Sequence, residues 1–490
     1  MSLFTVEELL EVISVKVLAG RCDGWLKRRI ARLCTDSRSV RRGDLFVALK
    51  GEQFDGHQFV VAALRLGAIG AIVEDQYRPP AASLTSSNKQ GTKRTEPLLF
   101  GVRDTLFAYQ QLAAHHRSRF TIPVVAVTGS NGKTTTKEMV ASVLAQRWTV
   151  LKTEGNLNNR IGVPQTVFRL TPRHQAAVVE LGVDQKGQTT RLCEIVRPTI
   201  GLITNIGPDH LEFFGSIEAS AQAKAELLDQ MSQDGAIVLN ADDPYFDYLA
   251  SRAQCRVVSF GLSPKADVRA LDVRTDARTG AAFRLALPGK ARSTAVALRV
   301  HGAHNVLNAL AAAAVGHVLS LGGAAIAQGL ARFRPAAMRS RVADHRGMRV
   351  IDDCYNANPA SMKAAIELLA ELGSSKRTIA VLGDMLELGP EARALHEDVG
   401  AFLAQRNISL LVACGALGES LAEGARRGGM AADRILEVPD AGAAAVAVKS
   451  LVRKGDVVLV KASRGMRMEQ VVEALAGSGQ RLRGHRQAVR

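Results

Sequence analysis

The residues Gly129-Ser130-Asn131-Gly132-Lys133-Thr134-Thr135 follow an apolar run, Val124-Val125-Ala126-Val127-Thr128. They open a segment in which Met139, Val140, Val143 and Leu144 recur at helical spacing. Strand, glycine loop and helix in that order make a cradle for nucleotide phosphates. Glycines let backbone N–H groups turn toward an anion, and the helix N-terminus adds partial positive charge. Lys133 can then reach the β- and γ-phosphates, and the Thr134 hydroxyl can ligate Mg²⁺. The spacing departs from the full pattern, because Val127 stands where a glycine five positions before Gly132 is usual; the loop is a shorter Gly-x-x-Gly-Lys-Thr form.

Further polar residues fall where strands should end. Glu180 follows Val178-Val179 and precedes Leu181-Gly182. Its carboxylate suits Mg²⁺ as a hard oxygen ligand, and the bare pattern also suits an ion pair with a nearby base. His210 closes Thr204-Asn205-Ile206-Gly207-Pro208-Asp209, a strand breaking into a glycine-proline turn, where a structural histidine fits equally. Lys224 lies on an expected helix over 217–231, and taken alone it reads as a solvated surface charge.

These groups need a scaffold, and the periodicity supplies one. Strands over 45–49 and 71–74 with a helix over 59–66 predict a small N-terminal α/β unit. A polar, aperiodic stretch at 83–97 reads as an exposed loop near its boundary. Apolar runs at 178–180, 201–205 and 237–240 alternate with helices, as in a mostly parallel sheet whose ligands sit at the carboxyl ends of the strands. Closely spaced strands at 267–273, 282–287 and 294–300 suggest an antiparallel addition. After Pro335, runs at 349–352, 378–383, 410–414 and 457–461 alternate with alanine-rich helices and predict a second open α/β domain. The expected fold class is α/β in three domains: 1–98, 99–334 with the phosphate loop, and a Rossmann-like 335–490.

Composition agrees with a folded soluble protein rather than a disordered one. The chain has 490 residues, 47% hydrophobic and 22% charged, enough for several buried cores. Its six cysteines form no Cys-x-x-Cys pair, which predicts reduced thiols and a cytoplasmic setting. Glu7, Glu8 and Glu11 interrupt the apolar pattern near the N-terminus, unlike a secretory leader, and no apolar run approaches the roughly 20 residues of a membrane span. A net charge of +16 raises the question of nucleic acid, but with 4% aromatic residues and no recognition motif a nucleic-acid partner is not expected. The basic tail 481–490 reads as a solvated end, with weak attraction to anionic lipid as the other option. A monomer without membrane insertion is expected.

Taken together and in order, Gly129 to Thr134, Glu180, His210-Leu211-Glu212 and Lys224 resemble the central domain of the Mur ligase family. Thr35-Asp36-Ser37-Arg38 and the segment from Leu45 to His57 are similar to that family's UDP-binding domain. Gly155-Asn156-Leu157-Asn158-Asn159 resembles its substrate loop, and His304-Asn305-Val306-Leu307-Asn308 its adenine-contacting helix. Asp352-Asp353-Cys354-Tyr355-Asn356-Ala357-Asn358-Pro359, Gly383-Asp384-Met385-Leu386-Glu387-Leu388-Gly389 and Lys461-Ala462-Ser463-Arg464-Gly465 extend the likeness. Cys354 stands where serine is common and Ala462 where glycine is common.

The resemblance implies an ATP- and Mg²⁺-dependent amide ligase working through an acyl phosphate. Within the family, the Tyr-Asn-Ala-Asn-Pro and Gly-Asp-Met segments are similar to the member that adds D-alanyl-D-alanine to UDP-N-acetylmuramoyl-tripeptide. It further implies a carbamylated Lys224 that holds a second Mg²⁺ with His210. Asn305 and Asn308, three apart on one helix face, would read the adenine edge; Arg339, past the Pro335 hinge, would bring a cation onto ATP. Asp353, Tyr355, Asn356 and Asn358 would contact nucleotide or dipeptide, or form a plain Asx turn, and Asp36 and Ser37 would engage UDP or cap a helix. The rival readings are a ligase using another amine, including a folylpolyglutamate-type enzyme, a nucleic-acid-stimulated ATPase, and a noncatalytic nucleotide sensor.

Overall fold

The computed structural model describes residues 3–20, 24–51, 54–79, 97–276 and 279–477. The expected loop at 83–97, Pro97 excepted, and the basic tail 481–490 lie outside the described residues. The chain divides into two compact units. The first is the chain up to Thr121 with Arg160–Pro172 and Glu194–Arg197; the second is Ile122–Asn159, Arg173–Cys193 and the chain from Pro198 onward.

In the first unit a five-stranded sheet runs Lys16–Ala19, Leu98–Val102, Gly70–Glu74, Leu45–Val47, Leu33–Cys34. Only the first pairing is antiparallel. Leu98–Val102 is buried throughout, as a central strand covered on both faces requires. The helix Thr105–Ser118 starts at Asp104, whose carboxylate accepts from the Phe107 N–H, and buries Tyr109 and Leu112 in the core.

The second unit holds two sheets. One has nine strands in the order Thr294–Ala297, Gly280–Ala286, Val268–Asp276, Arg256–Gly261, Ala236–Asn240, Ile200–Ile203, Val124–Thr128, Ala176–Glu180, Val150–Lys152. The seven strands from Val268–Asp276 to Val150–Lys152 are parallel, and the last two additions are antiparallel, as the close spacing of those segments predicts. Val124–Thr128 lies between strands that come later in the chain on both sides. This is the switch point of the strand order, where a crevice opens at the carboxyl ends. The helices Lys133–Leu144 and Gly323–Arg332 approach closely at Gly329, where a Cβ would fall 2.5 Å from Val143 Cα.

The other sheet has six strands: Arg341–His345, Met348–Asp352, Val457–Lys461, Thr378–Gly383, Leu410–Cys414, Ile435–Val438. Only the first pair is antiparallel. Three of these strands have the bounds the apolar runs predict. Val150–Lys152, Arg341–His345 and Ile435–Val438 are additions at sheet edges, mostly half-buried and so without a continuous apolar run, and the central strands Leu98–Val102 and Arg256–Gly261 are additions as well. Among the described residues no helix is long and apolar enough to cross a membrane.

Candidate active site

The glycine loop leaves the tip of Val124–Thr128 with Gly129 at φ +135°, so close to its neighbour that a Cβ would sit 2.0 Å from Thr204 Oγ1. Gly132, at φ +77°, begins the helix Lys133–Leu144 with no side-chain cap. An uncapped N-terminus keeps its first amides for an anion. Asn205 fixes the loop: its carbonyl accepts from Ser130 N–H at 2.9 Å, and its Oδ1 from Asn131 N–H at 2.9 Å. Lys133 curls over the loop, with Nζ donating to Gly129 O at 2.5 Å and Ser130 O at 3.2 Å. Burial pushes the Lys133 amine down, opposed by the charges of Asp209 and Glu180. Thr135 lines the same cleft.

Glu180 ends its strand one position over and faces the loop. Its Oε1 accepts from Thr134 Oγ1 at 3.2 Å and from Asn158 Nδ2 at 2.9 Å. Its buried Oε2 has no hydrogen-bond partner among the described residues. Lys137, one helical turn past Lys133 and fully buried, stands 3.6 Å from that oxygen, 3.2 Å from Glu138 Oε1, and donates to Gly155 O at 3.4 Å. It ties the Glu180 carboxylate to the Gly155–Asn159 segment, whose Asn156, Asn158 and Asn159 also line the cleft.

On the other flank Asp209 gathers cations. Its Oδ1 accepts from Ser130 Oγ at 2.7 Å, Ser220 Oγ at 2.9 Å and Lys224 Nζ at 2.9 Å, while Oδ2 has no partner among the described residues. Burial alone would raise the Asp209 carboxyl; the charges of Lys224 and Lys133 outweigh it and hold the group below its ordinary range. One carboxylate thus serves two lysines. Lys224, 1% exposed, is left undercompensated, and burial takes its amine down to about 8. It is therefore not the solvated charge its helix suggested, and it is linked to the cleft through Asp209 and Ser130.

The second sheet supplies the facing wall. Arg339 Nη2 donates to Thr134 Oγ1 at 3.3 Å, and its guanidinium lies 3.8 Å over the Tyr355 ring. Asn358 caps the helix Pro359–Leu372 through a capping box with Ser361, and its Nδ2 also donates to Asn131 Oδ1 at 2.9 Å. Asn358 thus acts as a helix cap and reaches the glycine loop as well. Asp353 accepts from Ser340 N–H at 2.7 Å and from the buried Lys461 Nζ at 2.6 Å; Lys461 also holds Asn356 O at 2.8 Å. His210, in the left-handed region at φ +51°, sets Nδ1 2.5 Å from Glu387 Oε2, and Glu212 N–H donates to Glu387 O at 3.0 Å. Hydrogen bonding to His210 holds the Glu387 carboxyl below its usual range.

Ser130 to Thr135, Asn158, Glu180, His210, Arg339, Asp353, Tyr355, Asn358 and Lys461 line one cavity of about 540 Å³, whereas Gly129, Lys137, Asp209, Lys224 and Glu387 are not part of its lining. Its lining also includes the apolar Phe260, Val300, Leu307 and Phe333, and Asn305. Asn308 stands against Gly132, accepting from Thr136 Oγ1 at 3.1 Å and donating to Asn305 Oδ1 at 3.2 Å, so it braces the loop. Asp36 and Ser37 belong to the first unit, where Asp36 opens the turn Ser37–Ser39 and binds the Arg38 guanidinium at 2.9 Å through each oxygen. Sequence reasoning passed over Asp209, Lys137, Asn205 and Lys461 as active groups. Only Lys137 carried a signal, its i, i+4 relation to Lys133.

Among the described residues no three His, Cys, Asp or Glu side chains converge as a metal cage. Mg²⁺ takes one or two carboxylates and completes its shell with phosphate and water. Thr134 and the half-satisfied Glu180 fit that role. Three family matches cover the chain in order: the Mur ligase family catalytic domain at residues 29–115, the Mur ligase middle domain at 127–316, and the Mur ligase glutamate ligase domain at 338–464. The chain belongs to the Mur ligase family. It is 38% identical over 480 residues to the UDP-N-acetylmuramoyl-tripeptide–D-alanyl-D-alanine ligase of Synechocystis, 97% of each chain being covered. A crystal structure of MurF from Acinetobacter baumannii superposes with a TM-score of 0.86 at 32% identity, covering 96% of this chain and 98% of that one. The MurF ligase of Thermotoga maritima in complex with ADP gives 0.77 at 28% identity, with 91% and 97% covered.

Proposed function

We infer that this chain uses ATP to join D-alanyl-D-alanine to UDP-N-acetylmuramoyl-tripeptide, forming the pentapeptide precursor of peptidoglycan with release of ADP and phosphate. The observation that carries the reading is the likeness to ligases of that name over more than nine-tenths of the chain. Ligases using another amine are not favoured.

The tripeptide carboxylate attacks the γ-phosphorus of ATP while ADP departs, leaving an acyl phosphate. The dipeptide amine then attacks the acyl carbon, orthophosphate leaves with the C–O electron pair, and the amine gives up a proton. Two anions must first be brought together. Lys133, Arg339 and the first amides of the helix counter that repulsion without reorganising. Mg²⁺, when bound, supplies further charge neutralisation as a Lewis acid. Thr134 and Glu180 would hold it, supported by the Glu180 Oε2, which accepts no hydrogen bond from any described residue.

In the same proposal Lys224 carries a carbamate and, with His210, holds a second Mg²⁺. The lowered Lys224 amine supports this, because carbamylation needs the neutral form. Gly129, Ser130, Asn131, Gly132 and Thr135 hold phosphates, Asn305 and Asn308 form the adenine wall, and Asn156, Asn158 and Asn159 meet the peptide. Asp353, Tyr355, Asn356 and Asn358 meet nucleotide or dipeptide, and Asp36 and Ser37 the UDP group. The division at 98 and 334 would assign UDP, ATP and dipeptide to successive domains of a cytoplasmic monomer.

Incubation with ATP, Mg²⁺, UDP-N-acetylmuramoyl-tripeptide and D-alanyl-D-alanine, each omitted in turn, tests the reaction. Pentapeptide by mass and phosphate in equal amounts are expected only in the complete mixture. Phosphate release that ignores the dipeptide would reject the assignment.

A further inference from the structure

Beside the nucleotide cleft lies a second cavity, of about 450 Å³, lined by Arg299, His301, Arg334 and Arg341 and by no carboxylate. It meets the cleft at Val300, Pro335 and Ser340 and includes no residue of the glycine loop. Its volume is that of a site for a small organic ligand rather than for a single ion.

The arginines are not committed to other acids. Arg299 and Arg341 make no side-chain hydrogen bond or ion pair with any described residue. Arg334 uses Nη1 to donate to the carbonyls of Ala331, Arg332 and Phe333, at 3.3, 3.3 and 2.8 Å. Guanidinium groups around one cavity without a counter-charge repel one another. An oxyanion of several charges relieves that repulsion and accepts their paired N–H donors.

The lining residues also come from both sides of a joint. Arg299 and His301 lie between the strand Thr294–Ala297 and the helix Ala303–Val318, whereas Arg341 opens the first strand of the six-stranded sheet. The linker between them carries Met338 and Ser340 at φ +60° and +47°, left-handed values that L side chains rarely adopt.

We propose that this cavity binds a phosphate-type oxyanion of multiple charge, separately from the nucleotide, and that the anion fastens the two ends of the linker. Orthophosphate formed by the ligase and a polyphosphorylated small molecule share this chemistry, and two probes separate them. Protein saturated with ADP in metal-free buffer, so that the glycine loop is taken and no chelation heat intrudes, is titrated calorimetrically with orthophosphate and with pyrophosphate at fixed ionic strength. One site for pyrophosphate is expected, weakened at least tenfold in the double variant Arg299→Gln/Arg341→Gln, with ADP affinity and pentapeptide turnover unchanged. Orthophosphate binding at the same site would point to the reaction product; pyrophosphate binding alone would point to a polyphosphorylated ligand. Absence of pyrophosphate binding, binding that merely displaces ADP, or equal affinity in the variant overturns the proposal. Arg299→Gln alone, at an exposed position, serves should the double variant not fold. The readout is binding, so it stands apart from which amine the ligase uses.

Discussion

Glu180 and Asp209 are both buried carboxylates that face the glycine loop from opposite sides, and their surroundings give them different work. Glu180 receives a hydroxyl and an amide on one oxygen, with its cation, Lys137, at 3.6 Å from the other. Asp209 has a lysine in direct contact at 2.9 Å and feels a second. The first arrangement leaves one oxygen without a hydrogen bond among the described residues, next to a hydroxyl shared by Glu180 and Arg339. The second divides one negative charge between two amines and so eases one of them toward neutrality. We propose that the same residue type serves as a ligand in one place and a tuning group in the other, according to how closely its lysine approaches, 3.6 Å for Glu180 and 2.9 Å for Asp209.

The largest expected effect breaks the Glu180 side. Lys133→Ala and Glu180→Ala should each lower pentapeptide formation about 10³-fold, in line with loss of a preorganised charge at a transferring group. Lys133→Ala should leave the thermal transition within a few degrees, whereas Glu180→Ala also takes a carboxylate from the fully buried Lys137 and should lower it further. Glu180→Ala should also raise the Mg²⁺ concentration at half-maximal rate. A Glu180→Ala enzyme with unaltered Mg²⁺ dependence would remove the ligand role.

The difference between the two carboxylates also marks how far a sequence can be read. The glycine loop, Glu180 and the parallel strands were legible because each leaves a local signature: left-handed glycines, a hydroxyl after lysine, and apolar runs buried on both faces. Asp209 and Lys137 act through partners 15 and 43 residues away, Lys224 and Glu180, and no local pattern reports such pairings. Lys224 misled for the same reason. Its helix buries the face that carries it, and only the fold reveals that Ser220 and Asp209 are there to receive the amine.

A smaller effect should follow from the Asp209 side. Lys224→Ala leaves a buried carboxylate facing only the more distant Lys133, and loss of such a pair costs about 3–5 kcal/mol. Urea unfolding should show it, and Asp209→Asn in the same chain should recover part. Because burial takes the folded amine to about 8 from an ordinary 10.5, the unfolded chain holds its proton longer as pH rises. The penalty is complete below pH 8 and is relieved between 8 and 10.5, so Lys224 contributes a positive slope of stability with pH in that window, which Lys224→Met should flatten. Recovery of Lys224→Ala turnover by added short-chain carboxylic acids would tie the eased amine to a carbamate. A slope unchanged by Lys224→Met would place the lowered amine elsewhere.

The smallest expected effect concerns the contact between the two sheets of the second unit, and it decides what His210 is for. Glu387 meets His210 at a partly exposed position, where a pair of this kind contributes no more than about 1 kcal/mol. The bond from Glu212 N–H to Glu387 O survives a side-chain change, and Gly389 still lies against Glu212 Cα. Glu387→Gln should therefore raise the KM for ATP or dipeptide no more than fivefold and leave kcat in place. Since His210 holds the Glu387 carboxyl below its usual range, the wild-type contact persists above that lowered value and is lost as pH falls through it. His210→Ala removes the same contact and, in addition, any hold on a metal. If its kcat falls tenfold or more beyond that of Glu387→Gln, His210 serves the metal; if the two variants match at every Mg²⁺ concentration, the histidine works only as the clasp between the sheets.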